Sequence, residues 1–155
     1  MPRAWFCTCS STAACNPGVF QVDLYSEIVL DYFRNPRNKG PLPGADAASR
    51  DSNPLCGDEL SVFLKLDASG RVAQARFDGS GCAISQACAS MLCEAVEGKS
   101  LDEVRALDKD FVFKLLGGPV SVARVKCALL SLKVLKLAVY SFLGKRLETQ
   151  AEEFG

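Results

Sequence analysis

The sequence predicts an α+β domain in which helices pack on one face of a small antiparallel sheet. Three observations carry that expectation. Apolar residues recur at helical spacing over residues 23–33; they alternate with polar residues over 60–66 and, after a turn, continue over 71–77; from residue 83 onward every periodic stretch is helical. The chain has 155 residues, 48% hydrophobic and 23% charged, which is the size and balance of one folded core rather than of a disordered or fibrous chain. No internal repeat is visible.

Residues 1–21 lack any helical or strand period and hold Cys7, Cys9 and Cys15 among small polar residues, so they read as an unstructured extension without the pattern of a signal or transit peptide. The domain proper is expected over 22–147, followed by a tail at 148–155. Leu24, Ile28 and Tyr32 form one stripe and Tyr25, Val29 and Phe33 an adjacent one, giving an amphipathic helix closed by Pro36. Residues 35–55 are dense in Pro, Gly, Asn, Asp and Ser and read as a surface loop. Leu60, Val62, Leu64 and Leu66 then alternate with Ser61, Phe63 and Lys65, and the turn Asp67 to Gly70 joins them to a second strand, which makes a β-hairpin.

Ile84, Ala87, Cys88, Met91 and Ala95 fall on one helical face that ends at Gly98. Ser100 and Glu103 form a capping box opening a short helix through Leu107, and a second short helix over about 109–116 stops at Gly117-Gly118. In the last long helix Val125, Leu129, Leu132, Leu135, Val139 and Phe142 make the stripe, widened by Leu130, Val134 and Leu137. Lys133 and Lys136 interrupt it, so it reads as a core helix and not as a membrane span.

Composition narrows function. Lys plus Arg (18) equals Asp plus Glu (18), so there is no global positive field for nucleic acid or an anionic membrane. Histidine is absent, which excludes Ser-His-Asp and Cys-His mechanisms and the commonest nitrogen ligand for zinc or iron. Eight cysteines without a secretory leader fit a reducing cytoplasm, where clustered thiols bind metal or carry sulfur.

Three cysteines lie at the ends of predicted elements: Cys56 before the first strand of the hairpin, Cys82 at the strand-to-helix junction and Cys127 near the start of the last helix. They are too far apart in sequence for a Cys-x-x-Cys knuckle and can meet only through the fold. Around Cys56 the run Cys56-Gly57-Asp58 sets a thiol and a carboxylate on either side of a glycine, where both can face one metal. Gly81 gives backbone room beside Cys82 at a helix N-terminus, whose dipole favours a thiolate, and Arg124 and Lys126 bring positive charge to Cys127. Three thiolates and Asp58 supply four ligands, enough for tetrahedral Zn²⁺ or a [2Fe–2S] cluster; a carboxylate is the more exchangeable partner and suits a cluster that must leave. Cys88 and Cys93 stand about 140° apart around a helix, cannot share a metal and read as small buried residues.

The runs Tyr25-Ser26-Glu27, Asn35-Pro36-Arg37-Asn38-Lys39-Gly40, Asn53-Pro54-Leu55-Cys56-Gly57-Asp58, Gly81-Cys82-Ala83-Ile84-Ser85 and Arg124-Val125-Lys126-Cys127-Ala128 resemble, in order, the iron–sulfur cluster assembly scaffold family (NifU N-terminal, IscU and SufU-like proteins) over residues 22–145. The resemblance implies the SufE/NifU-like fold with the three cysteines gathered at one exposed end. It implies a scaffold or carrier rather than an enzyme, which receives sulfur from a cysteine desulfurase, with Cys127 as acceptor. A labile [2Fe–2S] cluster is then assembled from iron on Cys56, Asp58, Cys82 and Cys127 and passed to recipient apo-proteins, with a homo-oligomer as a further candidate state.

Two departures bear on that reading. IscU-like members have histidine before the third cysteine, whereas here Lys126 stands there as in SufU-like members, yet the insertion that SufU-like members carry between the second and third cysteines is missing. The chaperone-binding run of IscU-like members is replaced by Gly118-Pro119-Val120-Ser121-Val122. The alternatives are therefore a SufU-like zinc-dependent sulfur acceptor, in which Cys127 takes a persulfide while Zn²⁺ holds the other ligands, and a structural zinc module.

Overall fold

A computed structural model describes residues 27–118 and 120–153, with side chains as far as residue 145. The extension at 1–21 and the start expected for the first helix, including Leu24 and Tyr25, lie outside the described residues. Helix α1 is described over 27–34. Three antiparallel strands follow, β1 Ala47–Asn53, β2 Asp58–Leu66 and β3 Val72–Ser80, in the spatial order β1-β2-β3. Four helices complete the domain: α2 Ala83–Val96, α3 Leu101–Ala106, α4 Lys109–Leu115 and α5 Val122–Glu153. The long helix thus continues into the stretch 148–155 set apart above as a tail.

The expected hairpin is β2–β3, and its alternation decides which face is covered. Leu60, Val62 and Leu64 on β2 and Val72, Ala75 and Phe77 on β3 are buried on one side, where α5 packs against β1 and β2, and α2 against β3 and α5. The sheet is larger than the sequence reading allowed, because β1 lies inside the stretch read as a loop. Its residues, Ala-Ala-Ser-Arg-Asp-Ser-Asn, carry no apolar alternation. An edge strand needs none: it buries only Ala47, pairs along its length with β2, and meets α5 through an Asp51–Lys133 ion pair. At the opposite edge residues 38–40 lie beside β3, with Phe77 N–H donating to the Asn38 carbonyl and Gly40 N–H to the Phe77 carbonyl.

The helices follow their stripes with three exceptions. Val29 is buried and Tyr32 packs on the core, but Ile28 and Phe33 stay partly exposed; on α5, Leu132, Leu135 and Val139 are buried whereas Leu137 faces outward. Ser100 and Glu103 make the expected capping box, and Asp108 caps α4 by accepting from Phe111 N–H. By length and mean hydropathy (1.6) the segment Val122–Lys145 is apolar enough to cross a membrane in spite of Lys133 and Lys136, but 50% of its most apolar stretch is buried inside the protein, as befits the core helix of this fold.

Candidate metal centre

The inward row of β2 ends on a charged residue. Asp58 continues the sequence Leu64, Val62, Leu60 to the last position of the sheet and is buried there. Immediately before it the chain makes a tight turn built by Asn53. The Asn53 carbonyl accepts from Cys56 N–H and Gly57 N–H, its side-chain Oδ1 accepts from Leu55 N–H (3.1 Å), and its Nδ2 donates to Cys56 Sγ (3.2 Å). Gly57 sits at φ +69°, the left-handed conformation that lets Cys56 and Asp58 turn toward the same place.

Across the sheet, β3 ends at Ser80 opposite Glu59, so Gly81 and Cys82 emerge alongside Asp58. Cys82 N–H donates to Asp58 Oδ1 (3.0 Å). A Cβ on Gly81 would stand 2.8 Å from that oxygen and 2.7 Å from Ser85 Oγ, so only glycine permits this approach. Cys82 is the N-cap of α2, its sulfur accepting from Ser85 N–H (3.4 Å).

Helix α5 delivers the remaining thiol from above. Cys127 is 1% exposed, and its Sγ lies 3.4 Å from that of the exposed Cys56. Ligand atoms of Cys56, Asp58 and Cys127 all fall within 4.8 Å of one another. Cys82 stands beside this group rather than in it, near enough to act on Cys127 electrostatically. Desolvation, followed by the neighbouring Cys56, Cys82 and Asp58, pushes the Cys127 thiol up to about 12. The expected relief from Arg124 and Lys126 is not among these influences: both side chains are exposed, and Lys126 lines a groove of about 330 Å³ with Ser52, Pro54 and Leu129 next to the centre.

The donor set fits a cation. Asp58 Oδ2 is buried without a hydrogen-bond partner, a costly arrangement for a carboxylate unless something positive binds there. Its nearest candidate company is two thiols, the soft ligands preferred by zinc and iron. Cys88 and Cys93 are buried inside α2 as expected, 0% and 1% exposed. Gly81 gives the backbone room expected of it, whereas Asn53 and Ser85 are site-building residues whose roles spacing did not show, although both lie within the runs quoted above.

Comparison with known proteins settles the lineage. Residues 24–149 match the model of the NifU-like N terminal domain. The chain belongs to that family. It is 35% identical over 133 residues to the zinc-dependent sulfurtransferase SufU of Bacillus subtilis (75% of this chain, 89% of that protein). It is 34% identical over 126 residues to the iron–sulfur cluster assembly scaffold protein IscU of Escherichia coli K12 (79% and 96%). Among solved structures, a nitrogen-fixing NifU-like protein (N-terminal) from Brucella abortus superposes with a TM-score of 0.65 at 25% identity, covering 81% of this chain and 99% of that one. Relatives thus include both a scaffold and a sulfurtransferase, two of the three readings that the sequence left open.

Proposed function

We propose that this NifU-like domain is an iron–sulfur cluster assembly scaffold of a reducing compartment such as the cytoplasm. It takes sulfur from a cysteine desulfurase, assembles a [2Fe–2S] cluster on Cys56, Asp58, Cys82 and Cys127, and passes the cluster to apo-proteins. The observation that carries this reading is the buried, partnerless Asp58 Oδ2 with the thiols of Cys56 and Cys127 close by. Each residue has a part that follows from its place. Asp58 is fixed through Oδ1 by Cys82 N–H and offers one oxygen, so it holds iron by a single harder bond that an incoming thiol can displace. Cys82 joins the cluster by releasing Ser85 N–H, a modest loss for the helix. Sulfur arrives when the Cys127 thiolate attacks the outer sulfur of the desulfurase persulfide; the S–S bond breaks and the desulfurase cysteine leaves as thiolate. Cys127 is buried behind Cys56, so the turn at 53–57 must move aside for that transfer.

A second reading is favoured by Lys126 in place of histidine and by the likeness to a zinc-dependent sulfurtransferase. Here Cys127 still accepts the persulfide sulfur while Cys56, Asp58 and Cys82 hold Zn²⁺, which keeps neighbouring thiols deprotonated. Anaerobic reconstitution with iron, cysteine, a desulfurase and a thiol reductant that brings the persulfide sulfur down to sulfide separates the two. A red protein with thiolate-to-iron absorption supports the scaffold. A colourless protein that speeds desulfurase turnover supports the acceptor, and loss of folding on chelation without any effect on the desulfurase points to a structural zinc module.

A further inference from the structure

Among the described residues the closest pair of thiols belongs to the candidate centre, and its geometry suits a reaction that competes with metal. Cys56 Sγ and Cys127 Sγ are 3.4 Å apart. Two thiolates on one tetrahedral zinc, with Zn–S bonds of about 2.3 Å, stand roughly 3.8 Å from each other. The two sulfurs therefore stand nearer than one tetrahedral metal would hold them, and about 1.4 Å of further approach completes an S–S bond of about 2.05 Å. The partners also differ in access. Cys56 is exposed on a turn and accepts a hydrogen bond from Asn53 Nδ2, whereas Cys127 is 1% exposed.

We propose that Cys56 and Cys127 form a reversible disulfide when the metal-free protein meets a peroxide, and that this bond closes the centre to metal. The first step takes place at Cys56, the thiol that an oxidant can reach. Its thiolate attacks one oxygen of hydrogen peroxide, the O–O bond breaks, and Cys56 becomes a sulfenic acid while hydroxide leaves and takes up a proton as water. Cys127, already in contact, attacks the sulfenic sulfur; the S–S bond forms, the S–O bond breaks, and the departing hydroxide leaves as water with the Cys127 proton. Two thiols lose two electrons and two protons, and one peroxide becomes two waters. A dithiol reductant reverses the bond by exchange. Proximity to Cys127 lets the disulfide form before Cys56 is oxidised beyond recovery, and the bond removes two of the three grouped ligands. Bound metal, by occupying the same sulfurs, protects them. Only this last coupling rests on the proposed metal site; the bridge itself does not.

The test uses the full chain, reduced and metal-free or loaded with one equivalent of Zn²⁺, exposed to one equivalent of hydrogen peroxide. Peptide mapping under non-reducing conditions is expected to show a Cys56–Cys127 crosslink as the main product in the metal-free sample and at least tenfold less of it in the zinc-loaded one. Zinc binding should be lost in proportion to the crosslink and regained with dithiothreitol. Cys127→Ser should instead stop at Cys56 sulfenic acid, trapped as its dimedone adduct, and Cys56→Ser should give no crosslink at Cys127. A dominant bridge from Cys56 to Cys82 or to an N-terminal cysteine, or oxidised protein that binds zinc as the reduced form does, would overturn the proposal. Failure of the reduced protein to bind zinc or iron would instead count against the metal site, and the crosslink map would still decide whether the bridge forms.

Discussion

Cys88 and Cys127 are both buried, and desolvation pushes both thiols up to about 12, yet only one of them lies where chemistry can happen. Cys88 sits between α2 and α5 with its polar needs met: Ser131 Oγ donates to its sulfur (3.0 Å) and the thiol donates to the Ala128 carbonyl (3.3 Å). Cys127, one residue before that carbonyl on the same helix, faces two more cysteines and a carboxylate oxygen with no partner. Burial raises a thiol's pKa in either place. What marks the end of the sheet as a site is unsatisfied polar company, which a cation would relieve and which the α2–α5 interior lacks.

The largest effect expected from this contrast is on metal affinity. Cys56→Ser or Cys127→Ser should weaken binding on the order of 100-fold or more, whereas Cys88→Ala should leave it within about threefold. Cys88→Ala should instead lower stability by about 1–2 kcal/mol, read as a fall of several degrees in the thermal midpoint. Competition titration against a coloured chelator, beside a thermal melt, tests both. Equal metal losses for Cys88 and Cys127 variants would break the comparison.

Gly81→Ala comes next. Its Cβ would collide with Asp58 Oδ1 and Ser85 Oγ, so metal affinity should drop by about tenfold through displacement of Asp58. At Gly144, where an added Cβ meets nothing within 4 Å, the same substitution should leave binding unchanged.

The pH dependence sharpens the same point. A thiol held up at about 12 keeps its proton throughout the physiological range, so metal must displace that proton to bind. Affinity should therefore rise with pH and fall as pH drops, by about tenfold per unit for each proton displaced. Isothermal titrations in buffers of different ionisation enthalpy count the released protons; a flat profile between pH 6 and 8 would show that Cys127 is not a ligand.

The smallest effect is reserved for Asn53→Ala. It removes the hydrogen bond to Cys56 Sγ and the one from Leu55 N–H, at a cost of about 1 kcal/mol, with a few-fold change in affinity.

Much of this architecture was legible in the residues because apolar periodicity reports burial. The β2–β3 hairpin, the capped α3 and the core stripe of α5 are all read correctly from it. Strand β1 was hidden because an edge strand pairs through its backbone and Ala47 alone needed to be apolar. The cysteines and Asp58 stood out by residue type and by their flanking runs. Their separate roles did not: local sequence places Cys82 at the start of α2 without marking its sulfur as the cap, and the exposure of Arg124 and Lys126 away from the centre depends on how α5 packs on β1 and β2.

The central claim is that Asp58 is an exchangeable ligand, present so that the cluster can leave. Its most direct test is the decay of visible absorption from reconstituted wild type and Asp58→Ala, with and without an apo-ferredoxin. Loss of the carboxylate removes the bond that an incoming thiol displaces, and the freed position can be closed by Lys126 swinging in from its groove beside the centre, by a spare cysteine or by a second subunit. The variant should then hold its cluster longer and transfer it more slowly. Faster loss from Asp58→Ala under both conditions would show that the carboxylate simply stabilises the cluster, and would contradict the account.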